Sequence, residues 1–310
     1  MKKFFSILLV ISLLVVSSVG VFAYGSFDQT IYNYLNNRVY TNEGKTYDVK
    51  IFKSNPSTQF ATPVLLQNGY KSYLSSINPS SSYTTVAKVN GNVMQSYGSS
   101  GTSFYGLGYV NGVLYQDGKK LNSASDVTGL HSQYYPCFVV KNNDTATVRW
   151  FSNTSALSTA LPYIKFMMPS TNCLVYDSKS VFESTAVYDE YDGGLRIADW
   201  NNLSNPNYHN NYNTAVDHGT SANTRTFIGH KKDGSFILVV VDSTGNGMNF
   251  KVGAQLMVDL ECDYAVNLDG SDASQMRVAS GYTNGATAGK VTTNGSNYTY
   301  YGSAFCIYNK

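Results

Sequence analysis

One arginine, two aspartates and a set of asparagines, glycines and serines crowd into residues 224–276, TRTFIGHKKDGSFILVVVDSTGNGMNFKVGAQLMVDLECDYAVNLDGSDASQM. Arg225 offers a planar fork that grips two oxygens of an anion at once. Asp242 and Asp269 are carboxylates able to act as base or nucleophile. The elements between these residues must bring them together. Arg225–His230 and Ser235–Asp242 are β-rich runs around Lys231-Lys232-Asp233-Gly234, and Asp-Gly is a strong hairpin signal. Folding about that turn sets the start of the first run beside the end of the second, so Arg225 is expected near Asp242. Phe250–Glu261 then carries Val252, Leu256, Met257 and Leu260 at helical spacing, and Tyr264–Leu268 reads as a short buried strand stopped by Asp269-Gly270. Strand, helix and strand usually form a right-handed parallel unit. Asp242 and Asp269 would then leave the carboxyl ends of neighbouring strands, where open sheets tend to bind ligands. The plain alternative is that Arg225 merely pairs with a carboxylate at a strand end.

RTFIG, the strand ending VVVD, and NLDGSDAS resemble the RTAIG, DGR and NLDGGGSS motifs of the phosphodiester glycosidase family, which includes the uncovering enzyme that removes N-acetylglucosamine from a phosphodiester. VAKVNGNVM (86–94) resembles the family's NGGFF element, and GLGYVNGVLYQDG (106–118) the strand–turn segment after it. The resemblance spans about residues 46–308 and rests on motif order and spacing. Arg225, Thr226, Gly229, Asp242, Asn267, Asp269, Gly270, Ser274, Asn90 and Gly91 match the family's pattern. Ser271-Asp272-Ala273 depart from it, as do Asn92 and Ser243-Thr244.

That resemblance implies a hydrolase that cleaves a sugar from a glycosyl phosphodiester, needing no cofactor. Arg225 is then the phosphate clamp, with backbone N–H groups at Gly91 and Gly270 as helpers. Asp269 is the carboxylate at the sugar centre, and Asp242 is either the second carboxylate or the group orienting Arg225. Thr226, Asn90, Asn267 and Ser274 are candidates for hydrogen bonds to sugar hydroxyls or phosphate oxygens. For Asn90 a turn role stands beside the ligand role, because Asn-Gly favours turns. Retention versus inversion depends on the separation of the carboxylates, which a sequence does not give. Asp272 either faces solvent, alters specificity or impairs catalysis. The alternative function is a catalytically degenerate glycan- or phosphosugar-binding protein of the same fold. A further alternative is an exported partner-binding protein without a sugar ligand. Two lesser clusters, His209 with Asp217 and His218, and Asp189, Glu190 and Asp192, carry metal-ligating side chains without a recognised spacing, so a metal site is left undecided.

Lys2-Lys3, an apolar run from Phe4 to Val16, and small residues ending at Ala23 have the order of a signal peptide, expected over residues 1–23. Removing its two lysines balances the 22 basic and 20 acidic residues, which argues against nucleic acid as a partner. No later segment is long and apolar enough to span a membrane, so no membrane association is expected once the signal is cleaved. The expected location is secreted or extracellular, and the expected partner is a phosphorylated glycan or sugar phosphodiester. Charged residues make up 14% of the chain, against roughly 25% in ordinary soluble domains, and Asn, Ser, Thr, Gly and Tyr take their place. Cys137, Cys173, Cys262 and Cys306 show no CxxC spacing; zinc is disfavoured, and disulfides or buried thiols both remain open.

The expected architecture is α+β: a β-rich mixed sheet with a few packed helices in one large domain over residues 46–310, after a lead-in at 24–45. Strands are expected at Tyr47–Phe52, Thr62–Gln67, Tyr83–Val89, Phe104–Val110, Val113–Tyr115, Cys137–Val140 and Thr145–Phe151, with a turn at Asn111-Gly112. A short helix is expected within Tyr70–Asn78 and a final strand pair within Ser296–Tyr308. Residues 152–222 show no clear period.

Overall fold

Every residue of Phe236–Val241, FILVVV, is buried, because this strand has structure on both faces. Its alternate side chains enter two cores: Leu238 and Val240 pack between sheets, and Ile237, Val239 and Val241 pack under a helix. The computed structural model describes residues 25–78, 82–92, 103–128, 135–151, 153–182, 222–242, 247–284, 289–290 and 300–310.

An eight-stranded sheet runs in the order β1 (Ser26–Phe27), β2 (Tyr34–Asn42), β3 (Lys45–Lys53), β16 (Phe236–Val241), β15 (Arg225–Lys231), β17 (Cys262–Asn267), β13 (Asn172–Tyr176) and β14 (Lys179–Ser180). A six-stranded sheet runs β11 (Ala146–Arg149), β10 (Cys137–Lys141), β12 (Ile164–Pro169), β7 (Leu107–Val110), β8 (Val113–Gln116) and β9 (Lys119–Leu121). A five-stranded sheet runs β19 (Gly289–Lys290), β18 (Met276–Val278), β6 (Thr85–Asn90), β21 (Ser303–Asn309) and β4 (Gln59–Leu65). A small ribbon joins β20 (Tyr300–Tyr301) to β5 (Ser72–Tyr73). Among the described residues the α-helices are two short ones, α1 (Thr154–Ala160) and α2 (Phe250–Asp259). The fold is therefore mainly β, which corrects the α+β expectation.

Several local expectations appear in the structure and others are replaced. Asn111 and Gly112 both take positive φ, 52° and 76°, as the primed hairpin turn requires. Tyr70–Asn78 holds no helix; Tyr73 stacks on Tyr300 at 4.5 Å and pairs β5 with β20. The two C-terminal strands do not pair with each other: β20 joins β5, while β21 lies between β4 and β6. Residues 34–42, within the expected lead-in, form a nine-residue strand against β3. The expected signal segment, the 189–192 and 209–218 clusters, and Ser243-Thr244 lie outside the described residues.

Candidate active site

The 231–235 turn folds β15 onto β16 with Arg225 opposite Val241, one residue before Asp242. Helix α2 then carries the chain across to β17, which pairs antiparallel with β15 and not with β16. So β16 and β17 are parallel but have β15 between them, a correction to the neighbouring-strand expectation. One edge of the sheet still receives the end of β16, the start of β15 and the end of β17.

β17 breaks its regular pairing at that edge. Leu268 N–H donates to Thr226 O (2.8 Å), but the next bond to β15's extension comes from Ser271 N–H to Thr224 O (3.0 Å). Regular pairing would have used residue 270, so one extra residue bulges out at Asp269-Gly270. Bulges re-aim side chains and recur next to active sites. The freed Asp269 N–H donates to Gly91 O of the five-stranded sheet (3.0 Å), which joins the two sheets here.

Asp269 is 7% exposed. Its Oδ1 accepts the Gly270 N–H at 2.9 Å, and its Oδ2 is buried without a hydrogen-bond partner. Burial pushes the carboxyl up to about 7, an effect that the Gly270 N–H partly offsets. Arg225, 3% exposed, donates Nε–H to Met248 O (2.9 Å) and lies over the Phe250 ring at 4.3 Å, so the first turn of α2 holds it. Burial lowers its pKa only to about 10, so it stays cationic at neutral pH. A Cβ built on Gly270 would stand 3.7 Å from Arg225 Cδ and Nη1, which places the bulge beside the arginine. Asp242 is buried, with its N–H bonded to Asp48 O at 2.9 Å.

Asn90 sits behind the bulge at 0% exposure. Its Oδ1 accepts Thr226 Oγ1–H (2.8 Å) and Gln275 N–H (2.9 Å), while Nδ2 donates to Asp269 O (2.8 Å). Asn90 and Thr226 thus fasten the bulge from within. Gly91 is required by packing, since a Cβ there would come 2.0 Å from Ser303 Oγ and 2.6 Å from Ser303 C. Its N–H donates to Ser303 O at 2.9 Å, and Gly270 N–H is held by Asp269. The expected helper donors are therefore both engaged within the protein. Asn267 spends its amide hydrogens on Thr171 Oγ1 and Leu268 O. Ser274 is fully buried at the end of the 3-10 turn Ser271–Ala273, its N–H bonded to Ser271 O at 3.2 Å. Ser271 has φ 53°, a left-handed conformation that favours glycine, at a position where the resembled motif has glycine. The loop keeps a glycine's backbone shape although the glycine is gone.

Phe250, Met248, Gln275 and Thr171 take part in this network and carried no sequence signal, because their contributions are a ring face, two backbone groups and a hydroxyl outside any motif. No cluster of three or more His, Cys, Asp or Glu fit for a metal occurs among the described residues, and all four cysteines are buried.

A profile of the phosphodiester glycosidases matches residues 83–308. The chain belongs to the phosphodiester glycosidase family. Among solved structures, the fold is similar to the zebrafish N-acetylglucosamine-1-phosphodiester alpha-N-acetylglucosaminidase catalytic domain auto-inhibited by pro-peptide. That match has a TM-score of 0.55 and 13% identity, covering 93% of this chain and 89% of that one. A hypothetical protein from Synechocystis matches with a TM-score of 0.53 and 11% identity, over 91% of this chain and 64% of that one. At such identities the likeness is one of fold. No curated protein matches in sequence. The matched span of this phosphodiester glycosidase-family chain contains β6 and β15–β17, the strands that build the cluster.

Proposed function

We propose that the protein is an exported hydrolase that releases a sugar from a glycosyl phosphodiester, on a cell-wall or surface glycan. The observation that carries this reading is the Asp269-Gly270 bulge: a buried carboxyl with one oxygen lacking a hydrogen-bond partner, in a turn whose Gly270 lies against an arginine held by a ring and a carbonyl. Phosphate is a good leaving group once its charge is bound, which is the task of Arg225. The oxocarbenium-like sugar left behind needs a carboxylate at its anomeric centre, or one that activates water there. Asp269 takes that role, and Asp242 serves as the second carboxylate or through Arg225. Asn90 and Thr226 act as positioning residues, while Asn267, Gly270 and Ser274 border the substrate.

A panel of sugar-1-phosphodiesters incubated with the mature protein should yield free sugar. Asp269→Asn, with its fold intact by circular dichroism, should lower kcat at least about 10²-fold while KM changes little. Unchanged turnover would make Asp269 structural. Wild-type protein that binds such esters without cleaving them would establish the degenerate binder instead, a reading favoured by Ser271 standing in a glycine conformation. Export predicts that secreted protein begins at Tyr24 by mass spectrometry; a full-length, membrane-retained product would reject it.

A further inference from the structure

Beside Asp269 the structure leaves two more buried oxygens unanswered, and they belong to residues directly opposite each other. Asn172, the first residue of β13, pairs with Asn267, the last of β17. Cross-strand partners share a face, with Cβ atoms roughly 5 Å apart. Asn267 also pairs with Phe227 of β15, whose ring would meet a Cβ on Gly253 of α2, so this is the face on which Arg225 meets α2. Oδ1 of Asn172 and Oδ1 of Asn267 are each buried without a hydrogen-bond partner, in side chains 8% and 3% exposed. The Asn267 oxygen cannot simply rotate away, because both hydrogens of its amide are committed to Thr171 Oγ1 and Leu268 O.

We propose that Asn172 and Asn267 form the sugar-hydroxyl subsite of the reaction, with Asn172 a specificity-determining residue outside every family motif seen in the sequence. This rests on the glycosyl phosphodiester reading above. The chemistry sets the direction of the substrate. Unmatched amide oxygens accept hydrogen bonds and repel anionic oxygen, so they suit hydroxyl donors and not phosphate. Arg225 is the reverse, five donors and no acceptor. The strand order β15, β17, β13 places the arginine, then Asn267 with the Asp269 bulge, then Asn172 along one edge. Adjacent strands stand roughly 4.8 Å apart, so this row is about 10 Å long, close to the reach of a hexose 1-phosphate. Phosphate on β15, anomeric carbon at the β17 bulge and ring hydroxyls toward β13 fill it in that order.

Binding reads this subsite apart from turnover. Isothermal titration of the mature protein with inorganic phosphate and with glucose 1-phosphate separates the arginine's share from the sugar's. Glucose 1-phosphate should bind at least about tenfold tighter than phosphate, and Asn172→Ala should erase that difference while leaving phosphate affinity unchanged. Galactose 1-phosphate and monodeoxy glucose 1-phosphates test the same point on wild-type protein, where at least one change of hydroxyl should weaken binding about tenfold; this arm stands even if Asn172→Ala does not fold. Equal affinities for the whole series, or an Asn172→Ala protein that melts earlier yet binds sugar phosphate as wild type does, would overturn the subsite and leave an internal water as the oxygens' partner. Failure to hydrolyse any phosphodiester, with the binding pattern intact, would count against the proposed reaction and not against the subsite.

Discussion

Asp269 was readable as a candidate because Asp-Gly ends a buried strand, but its state was not. Nothing in NLDG tells that the next strand bond skips a residue, or that Oδ2 ends up without a donor. Those two facts decide the titration. The folded protein holds this carboxyl's proton up to about pH 7, whereas an aspartate in the unfolded chain loses it near 3.8. Between these limits the folded state binds more protons than the unfolded chain, so stability falls as pH rises from about 4 to about 7 and is level beyond either end. At ~1.4 kcal/mol per pH unit the loss is of order 4 kcal/mol at most. Asp233 and Glu261 are held low by Ser235 and Lys231 respectively and slope the other way at lower pH. The difference between wild type and Asp269→Asn isolates the effect: urea midpoints should coincide near pH 4, separate as pH rises to about 7 and stay apart above it, with the Asn variant more stable. Parallel curves would mean that the carboxyl is not desolvated. If Asp269 works as a carboxylate, kcat/KM should rise through the same pH interval.

At the scale of elements, legibility followed turn signals. The 225–241 hairpin could be read with its register because Asp233-Gly234 fixes the turn and everything else follows by counting. β12 and β13 are hard to read because burial of almost every residue removes alternation, the main sign of a strand, and no Asx-Gly turn marks them as Asp233-Gly234 marks β15 and β16. β2 misleads differently: Asn36, Asn37 and Asn42 make it look like loop, yet Asn36 is buried and bonds to the carbonyls of Tyr32 and Tyr34 (2.8 Å each). Helix α2 was read from its apolar spacing, but what sets its distance from the sheet is Gly253. A Cβ there would lie 2.6 Å from Phe227 Cζ and 3.0 Å from Cε2. Gly253→Ala therefore opposes two effects, a helix-propensity gain of about 1 kcal/mol and an overpacking loss of about 1–3 kcal/mol. The ring is fully buried in the core beneath α2 and has little room to yield, so a net loss of ~1 kcal/mol is expected in denaturant titrations. The same variant should weaken phosphate binding, because lifting α2 draws Met248 and Phe250 away from Arg225. A stabilised protein with normal affinity would show that the helix settles elsewhere.

For the whole molecule, the candidate site depends on how separate sheets are held against one another. Arg225 and Asp269 come from the eight-stranded sheet, and Asn90 and Gly91 from the five-stranded sheet or its edge. The sequence marks these strands but not which share a sheet, since long-range pairing such as β16 with β3 or β21 with β6 leaves no local trace. What fixes the arrangement is visible at Phe305 in β21. Its ring lies 6.0 Å from Phe138 and 5.9 Å from Phe166, both of the six-stranded sheet, and 5.7 Å from Phe236 of the eight-stranded sheet. One fully buried side chain therefore touches rings from both other large sheets. Phe305→Ala should cost about 3–5 kcal/mol, the usual range for emptying a buried aromatic site. That is enough to bring a marginally stable protein near its threshold. Because the vacancy lies where sheets meet, the folded fraction should also lose the join between Asp269 N–H and Gly91 O, so kcat should fall further than the folded fraction does. Phe305→Leu refills most of the volume and should recover most of both losses. Circular dichroism melts give the folded fraction and sugar release gives turnover. If turnover tracks the folded fraction through Ala and Leu alike, the sheets hold their alignment without this ring, and Phe305 contributes stability alone.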